Sequence, residues 1–451
     1  MNIFGKHNLA FLLIIYFAIL NLIYNPASVK LSVIIILLVY LFLIFKSAKL
    51  IILFPFFLYP FMFLIKAQDP DNIVLTILPE IFTIIAILIH LFRTGLATSH
   101  VKFLLLLGAY AVVTLLIDMF HVGEIRYLPL ILRQYVLPVV FLIVFINASE
   151  RNNRLAIDAL KISVISFAVV GIITLLNITE ILDVKPSTEA LYPFLHYDVE
   201  SGDRSQFYGR NLTEDISMPR INLFTGGAIG SSAAIFFALG LIPFFLSKNE
   251  SNWRYKALSV VLLVPSLMTL SASVVIAVAW VLLVVVGTSK RAIYFSPFVF
   301  IILFFLLTTE LFIDKSPLDY VSDSSISGLL IYINSIDLTA FLIGSGPRLV
   351  SQGYEFVPEL FVTDVGIFRV FVETGLVNFI LFLGLLFVVL RRGLVVLNAP
   401  AGYNVKPFLI LFLLFISLLH ANMSVLPPFF PLFSAIVAGI FCAYSGVRRN
   451  I

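Results

Sequence analysis

The chain has 451 residues, of which 61% are hydrophobic and 12% charged, and its formal net charge is +4. An ordinary soluble domain carries about 25% charged residues, so this composition excludes a soluble globular protein. It predicts an all-α polytopic membrane protein with one integral membrane domain over residues 1–451. The only cysteine, Cys442, excludes a disulfide framework.

Apolar segments follow one another along almost the whole chain. A helix needs about 20 apolar residues to cross a bilayer, and by that measure we predict about 14 transmembrane helices. They lie at 8–24, 31–45, 50–65, 73–92, 103–120, 126–148, 155–178, 222–246, 257–271, 273–289, 292–313, 367–390, 407–422 and 424–445. The stretch 257–289 is predicted to form a tight helical hairpin that turns at residues 271–273.

Lysines and arginines are concentrated in alternate connections between these segments. With both termini in the cytoplasm, the cytoplasmic connections hold most of the basic residues, as the positive-inside rule requires. Two long polar connections, 179–222 and 314–366, then face the periplasm. We therefore predict a multi-pass protein of the bacterial inner membrane, in contact with membrane lipids. The basic net charge is explained by topology and is no sign of a nucleic-acid partner.

Five arginines lie in the two long connections or in the helices that begin just after them: Arg204, Arg210, Arg220, Arg348 and Arg369. Basic residues on the periplasmic side oppose the positive-inside bias, so they indicate that an anionic substrate is bound there. Arg220 lies at the start of a predicted helix, where a guanidinium can bind a phosphate through two hydrogen bonds. The alternative is non-specific contact with lipid headgroups.

The first long connection mixes aromatic residues with arginines, acids and amides. His196 and Tyr208, together with Arg204 and Arg210, are candidate sugar-binding residues, because aromatic faces pack on sugar rings and polar groups bond their hydroxyls. The alternative is a solvated loop whose aromatic side chains rest on the membrane interface.

Three charged residues lie where the second long connection ends and the next predicted helix begins. Asp364 is a candidate catalytic carboxylate, and the alternative is a helix N-cap. Arg369 and Glu373 are four residues apart, so they can pair on one helical face. Two such residues within a membrane span are costly unless they line a polar cavity.

Few other ionisable residues lie within the predicted spans. Glu80 follows Pro79 in the middle of a span, and either binds substrate or makes a structural hydrogen bond to a neighbouring helix. Asp158 and Lys161 are three residues apart and are expected to pair on one helix face. The six histidines show no metal-ligand spacing, and no glycine-rich phosphate loop is present. We predict no metal and no cofactor.

Short segments of the chain resemble the O-antigen polymerase and ligase superfamily. The run from Arg220 through Ala234 is similar to one of its conserved periplasmic segments. Gly344-Ser-Gly-Pro, followed by Asp364 and then by Glu373-Thr-Gly-Leu, resembles another. Ligases usually carry a histidine where this chain has Asp364, so the resemblance is closer to the polymerases.

The resemblance implies a fold like that of the C-type glycosyltransferase bundles. It implies that the chain polymerises undecaprenyl-diphosphate-linked oligosaccharides into O-antigen or capsular polysaccharide, with a chain-length regulator as a further partner. Asp364 and Arg220 are then catalytic. The expected substrate-binding residues are Arg348, Arg369, Glu373, Arg210, Arg204, His196, Tyr208 and Glu80.

Two alternatives remain open. An O-antigen ligase would transfer the polysaccharide to lipid A–core. A flippase or transporter would show internal repeats and polar groups along a path through the middle of the membrane. This chain instead concentrates its charge at one face, which favours an enzyme.

Overall fold

The structure, a computed structural model, describes part of the chain in detail. The described residues are 14, 16–19, 21, 29–46, 48–62, 65, 73–96, 100–178, 210–213, 216–218, 235–242, 253–268, 326–351, 354–358, 366–397, 405–417 and 429–449. Over these residues the protein is nearly all helical.

The helices, in chain order, are α1 (Val29–Lys46), α2 (Ala48–Leu58), α3 (Ile73–Thr94), α4 (Val101–Val122), α5 (Leu128–Ile131), α6 (Leu137–Arg151), α7 (Leu155–Ile178), α8 (Trp253–Met268), α9 (Ile326–Ser335), α10 (Leu338–Ile343), α11 (Gly366–Leu397), α12 (Lys406–Ser417) and α13 (Phe430–Arg449). Residues 235–242 are also helical. Short 3-10 turns cover Tyr59–Phe61 and Ile125–Tyr127, and a π-helix, Leu132–Val136, joins α5 to α6.

Six helical segments are long and apolar enough to cross a membrane: Ile77–Thr94, Val101–Val122, Ile125–Arg151, Leu155–Leu176, Arg369–Leu397 and Phe430–Val447. Three shorter apolar helices, Leu31–Leu43, Lys49–Phe61 and Ala257–Leu267, accompany them among the described residues. The predicted all-α membrane protein is therefore confirmed. The predicted spans 273–289 and 292–313, with the turn at residues 271–273, lie outside the described residues.

Helix α13 lies in the centre of the bundle, where it packs against α6, α7, α11 and α12. Small residues allow this close approach, because van der Waals packing drives helix association within a membrane. Gly439 faces the ring of Phe408 on α12 at a distance that leaves no room for a Cβ. At the start of α13, the ring of Phe430 contacts Tyr59 and Phe141 edge-on, with centroid distances of 4.7 and 5.6 Å.

The connection predicted at 314–366 contains more regular structure than a loop. Asp337 is the N-cap of helix α10, and its carboxylate accepts a 2.7 Å hydrogen bond from the N–H of Ala340. An antiparallel hairpin follows, β3 (Leu349–Ser351) with β4 (Tyr354–Phe356), in which Leu349 lies opposite Phe356. Buried Leu349 joins a small apolar cluster with Tyr127. This connection therefore packs onto the helix bundle.

Within the connection predicted at 179–222, the described residues form one antiparallel hairpin, β1 (Arg210–Thr213) with β2 (Ile216–Met218). Arg210 pairs with Met218 across it. The β1–β2 and β3–β4 hairpins are the β-structure among the described residues.

Candidate functional site

Glu373 is the centre of a buried polar cluster at one end of the bundle. It is fully buried in α11, and Arg369 on the same helix donates to its Oε1 at 2.5 Å, so the predicted pair forms. The hydroxyl of Tyr135 donates to Oε2 at 2.8 Å. The backbone N–H of Arg348 donates to Oε1 at 3.3 Å. Three parts of the chain that are distant in sequence therefore meet at one carboxylate.

The helix that carries this carboxylate is interrupted two residues later. Gly375 has φ 71° and ψ −179°, a conformation outside the helical region that glycine adopts readily. Such a break leaves helix carbonyls without their usual partners. Residues 344–348, here called the Gly344 segment, supply them: the N–H of Ser345 donates to the carbonyl of Val372 at 2.7 Å, and that of Gly346 to the carbonyl of Glu373 at 3.1 Å.

Tyr332 of α9 fixes the same junction from another side. Its hydroxyl lies 2.8 Å from Ser345 Oγ and donates to the carbonyl of Val372 at 3.2 Å. Burial raises the pKa of Tyr332 above its ordinary value, so the phenol keeps its proton at neutral pH. The Gly344 segment and the interrupted turn of α11 are therefore held together by both backbone and side-chain hydrogen bonds.

The π-helix supplies a second buried ion pair beside Tyr135. Nε of Arg133 donates to Oε1 of Glu80 on α3 at 2.7 Å, and the side chain of Glu80 is only 6% exposed. Isolated π-turns within α-helices are rare and occur frequently at functional sites. Here the π-turn contributes Arg133 to the cluster of Glu80 and Tyr135 to the cluster of Glu373.

For Glu80, the expectation of a structural hydrogen bond to a neighbouring helix is confirmed by this ion pair. The substrate-binding role stays a prediction. Its second oxygen, Oε2, is buried without a hydrogen-bond partner among the described residues. Pro79 precedes it and cannot donate to the helix, while the hydroxyl of Thr83 donates back to the Pro79 carbonyl at 2.9 Å.

A third buried carboxylate, Asp118, lies near the end of α4. It is fully buried, and it lies close enough to Glu373 for the two carboxylates to repel each other. Neither of its oxygens has a hydrogen-bond partner in the described part of the chain. One turn earlier, Thr114 accepts a 2.7 Å hydrogen bond from the amide of Asn378 on α11. The α4–α11 interface therefore carries polar groups next to the Glu373 cluster.

The predicted pair of Asp158 with Lys161 is wrong. Asp158 instead binds Lys49 of α2, with 2.5 Å between Nζ and Oδ2. Spacing of three residues permits a pair within one helix, but packing of α2 against α7 brings a competing lysine. This pair lies near the start of α7, at the opposite end of the bundle from Glu373. The contact of His100 with Glu150, at 3.2 Å, lies at that same end.

Several predicted site residues fall outside the described part of the chain. They are Asp364, Arg220, Arg204, His196 and Tyr208. Arg210 is described as a backbone position in β1. Of the remaining predictions, Arg348, Arg369 and Glu373 come together, and Glu80 joins the neighbouring pair with Arg133. No group of three histidine, cysteine or carboxylate side chains suited to a metal ion occurs among the described residues.

Tyr135 and Asn378 also belong to this region, and neither was predicted from the sequence. A tyrosine in a membrane helix gives no sign of function, since tyrosine is common near membrane interfaces. The segment 132–136 held one usable signal, namely that Arg133 lies within an apolar span and requires an acidic partner.

The two buried ion pairs, Arg369–Glu373 and Arg133–Glu80, are suited to bind an anion that takes the place of the carboxylate. Arginine binds carboxylates and phosphates with the same fork of N–H donors. Arg369 and Arg133 each hold a buried carboxylate, and an incoming phosphate can replace that carboxylate without leaving the guanidinium uncompensated. Comparison with known protein families, characterised proteins and solved structures finds no match to this chain.

Proposed function

We propose that this protein polymerises undecaprenyl-diphosphate-linked oligosaccharide repeat units into O-antigen or capsular polysaccharide at the periplasmic face of the bacterial inner membrane. The observation that carries the proposal is the buried Arg369–Glu373 pair beside an interrupted turn, with the main chain of Arg348 bound to the same carboxylate. A lipid diphosphate lies close to the membrane surface and carries strong negative charge. Arginines within the end of a helix bundle are suited to bind it.

In the proposed reaction the anomeric carbon of the growing chain leaves its diphosphate oxygen and bonds to a hydroxyl oxygen of the next repeat unit. Arg369 and Arg220 stabilise the negative charge that develops on the departing diphosphate. Asp364 removes the proton from the attacking hydroxyl as general base. Arg348, Arg210, Arg204, His196, Tyr208 and Glu80 are proposed to hold the sugars and phosphates.

Glu373 has a separate role in this scheme. In the absence of substrate it compensates the charge of Arg369, because an unpaired guanidinium buried in the bundle would be costly. When the diphosphate arrives, Arg369 changes partner and Tyr135 keeps its hydrogen bond to the freed carboxylate. Binding of substrate is thereby coupled to a rearrangement at the interrupted turn of α11.

The test uses purified protein and lipid-linked repeat units, with polymer length read on a gel. Arg369→Lys keeps the charge and a partner for Glu373 but loses the two-pronged contact with phosphate. We expect a loss of at least about tenfold in rate, the size of one good charge-assisted hydrogen bond. The matched control is Arg126→Lys, at an arginine that is 53% exposed and pairs with Glu124 at the same end of the bundle.

Full-length chains from Arg369→Lys would contradict the phosphate-binding role of Arg369. A second measurement separates the polymerase from the ligase. Deletion of the protein should leave lipopolysaccharide that carries a single repeat unit, whereas deletion of a ligase leaves bare core and lipid-linked polymer. Bare core in the deletion strain would contradict the polymerase and support the ligase.

A further inference from the structure

The interface between α4 and α11 contains fully buried polar groups to which the proposed reaction gives no role. They are Asp118 and Thr114 on α4, and Asn378 on α11. Thr114 and Asp118 are one turn apart, so they lie on the same face of α4. The hydrogen bond of 2.7 Å between Thr114 and Asn378 places the amide at that face.

The orientation of the Asn378 amide follows from the proton of Thr114. The hydroxyl of Thr114 donates to the carbonyl of Tyr110 at 2.8 Å. It therefore has no proton left for Asn378 and can only accept from the amide nitrogen. The amide oxygen of Asn378 must then point elsewhere, and it has no hydrogen-bond partner among the described residues.

In the part of the chain that the structure describes, three buried oxygens are thus left without a hydrogen-bond donor: Oδ1 and Oδ2 of Asp118 and Oδ1 of Asn378. All three are acceptors, so the missing partner must donate a hydrogen bond or carry positive charge. Glu373 cannot provide it, because its carboxylate repels Asp118 and is itself bound by Arg369 and Tyr135. A buried carboxylate within a membrane span is retained only where something compensates its charge.

We propose that Asp118 and Asn378 form a binding site for a small monovalent cation, a sodium ion or a proton, between α4 and α11. Carboxylate and amide oxygens are the hard ligands that such cations prefer. One carboxylate matches one positive charge. A divalent ion would need further carboxylates, and no metal-binding group of that kind occurs in the described part of the chain.

The position of the site gives it a consequence for the rest of the molecule. Asn378 lies three residues beyond Gly375, where α11 is interrupted. Interrupted helices bind cations near the break in several membrane transport proteins. A cation bound here fixes the second half of α11 against α4, independently of whether the protein is a polymerase.

The experiment measures the thermal unfolding of the purified protein in detergent. Unfolding is monitored through the reaction of Cys442 with a thiol-reactive fluorophore. Sodium chloride is compared with choline chloride at equal ionic strength. If sodium is the ligand, the Tm rises with the sodium concentration, and above the Kd it rises with the logarithm of that concentration. At a sodium concentration 100 times the Kd, the folding equilibrium shifts by about 100-fold.

Asp118→Asn should abolish this response, since its amide supplies a donor to Asn378 and carries no charge. Asp158→Asn is the control, because it makes the same chemical change in a carboxylate that already binds Lys49. It should leave the response to sodium unchanged. Asn378→Leu keeps the carboxylate and removes the amide oxygen, so its response should need at least about tenfold more sodium.

If a proton is the ligand, sodium has no effect on the Tm, and the Tm depends instead on the pH. A proton bound in the folded state alone stabilises that state less as the pH rises. The Tm of the wild type should then fall relative to that of Asp118→Asn as the pH rises above about 4, where an aspartate in the unfolded chain loses its proton. Other groups around Asp118 are common to both proteins: Tyr110 and His121 on α4, Tyr135 on the π-helix, and Arg369 and Glu373 on α11.

The comparison between wild type and variant therefore isolates Asp118 in either case. A wild type whose Tm is the same in both salts, and whose pH dependence matches that of Asp118→Asn, would overturn the proposal. Where Asp118→Asn fails to fold, Asn378→Leu replaces it as the variant in both the salt comparison and the pH comparison with the wild type.

Discussion

Gly344 and Gly375 cross with their main chains in direct contact. A Cβ on Gly375 would overlap the backbone nitrogen of Gly344, and a Cβ on Gly344 would overlap the backbone of Glu373 and Thr374. Both glycines have positive φ, at 82° and 71°. Neither position can hold another residue without moving the Gly344 segment away from α11.

We therefore expect Gly375→Ala to destabilise the protein by more than about 2 kcal/mol, since the strain of a positive φ adds to the steric overlap. The measurement is the Tm in detergent, read through Cys442. Gly384→Ala, on the same helix and with open space around the Cβ, is the control. It should be neutral or stabilise by up to about 1 kcal/mol. Equal Tm values for the two variants would contradict the close crossing.

Removal of one partner from the buried ion pair should be costly. Glu373→Gln removes the carboxylate that binds the guanidinium of Arg369, whose side chain is only 9% exposed. We expect a loss of about 3–5 kcal/mol in the free energy of unfolding. Glu124→Gln removes the carboxylate of an exposed pair with Arg126, at 54% exposure, and should cost less than about 1 kcal/mol.

A double variant tests whether charge compensation is the cause of that loss. Arg369→Leu combined with Glu373→Leu removes both charges and keeps apolar volume, and such replacements are often neutral. The double variant should therefore be more stable than Glu373→Gln. If it is less stable, the hydrogen bonds of Tyr135 and Arg348 to Glu373 outweigh the charge pair.

At the opposite end of the bundle, Asp158 pairs with a lysine of another helix. The structure gives the contact to Lys49, whose side chain is 35% exposed. Lys49→Met should lower the free energy of unfolding by about 1 kcal/mol, and Lys161→Met should change it by less than about 0.5 kcal/mol. A larger effect for Lys161 would instead support a pair of Asp158 with Lys161 within α7. Chemical denaturation of the two variants, measured in parallel, decides between them.

Asp364 is the residue on which the proposed chemistry depends most. A general base cannot be replaced by an amide, so Asp364→Asn should lower the polymerisation rate by roughly two to four orders of magnitude. As a helix cap alone, asparagine would serve about as well as aspartate, and Asp364→Ala would cost only about 1 kcal/mol of stability. The assay compares polymer formation by wild type, Asn and Ala. A near-normal rate for the Asn variant would transfer the role of base to Glu373.

Much of the described helix pattern could be predicted from the sequence, because the thickness of the bilayer fixes the length of an apolar segment. Predicted spans such as 103–120 and 155–178 lie within helices α4 and α7. The Arg369–Glu373 pair was also predictable, since two residues four apart on a helix must share a face.

The long-range parts of the site could not be predicted. Tyr135 and Glu373 are 238 residues apart, and Arg133 and Glu80 are 53 apart, so each contact depends on how the helices pack. The interruption at Gly375 gave no warning either, because glycine is common in membrane helices and usually continues them. Only the crossing with Gly344 shows why this glycine departs from the helix.

The π-helix has a consequence for how this chain can vary in length. A π-turn holds one residue more than the α-turn it replaces, so deleting a single residue within 132–136 would restore an unbroken α-helix. The helical parts on either side of the deletion would keep their relative orientation, because the wider π-turn takes up its extra residue without adding rotation. Insertions and deletions are usually tolerated in connections between helices. Here, a one-residue deletion within 132–136 would keep the helices on either side in register and would displace Arg133 and Tyr135, the residues that the π-turn presents to Glu80 and Glu373.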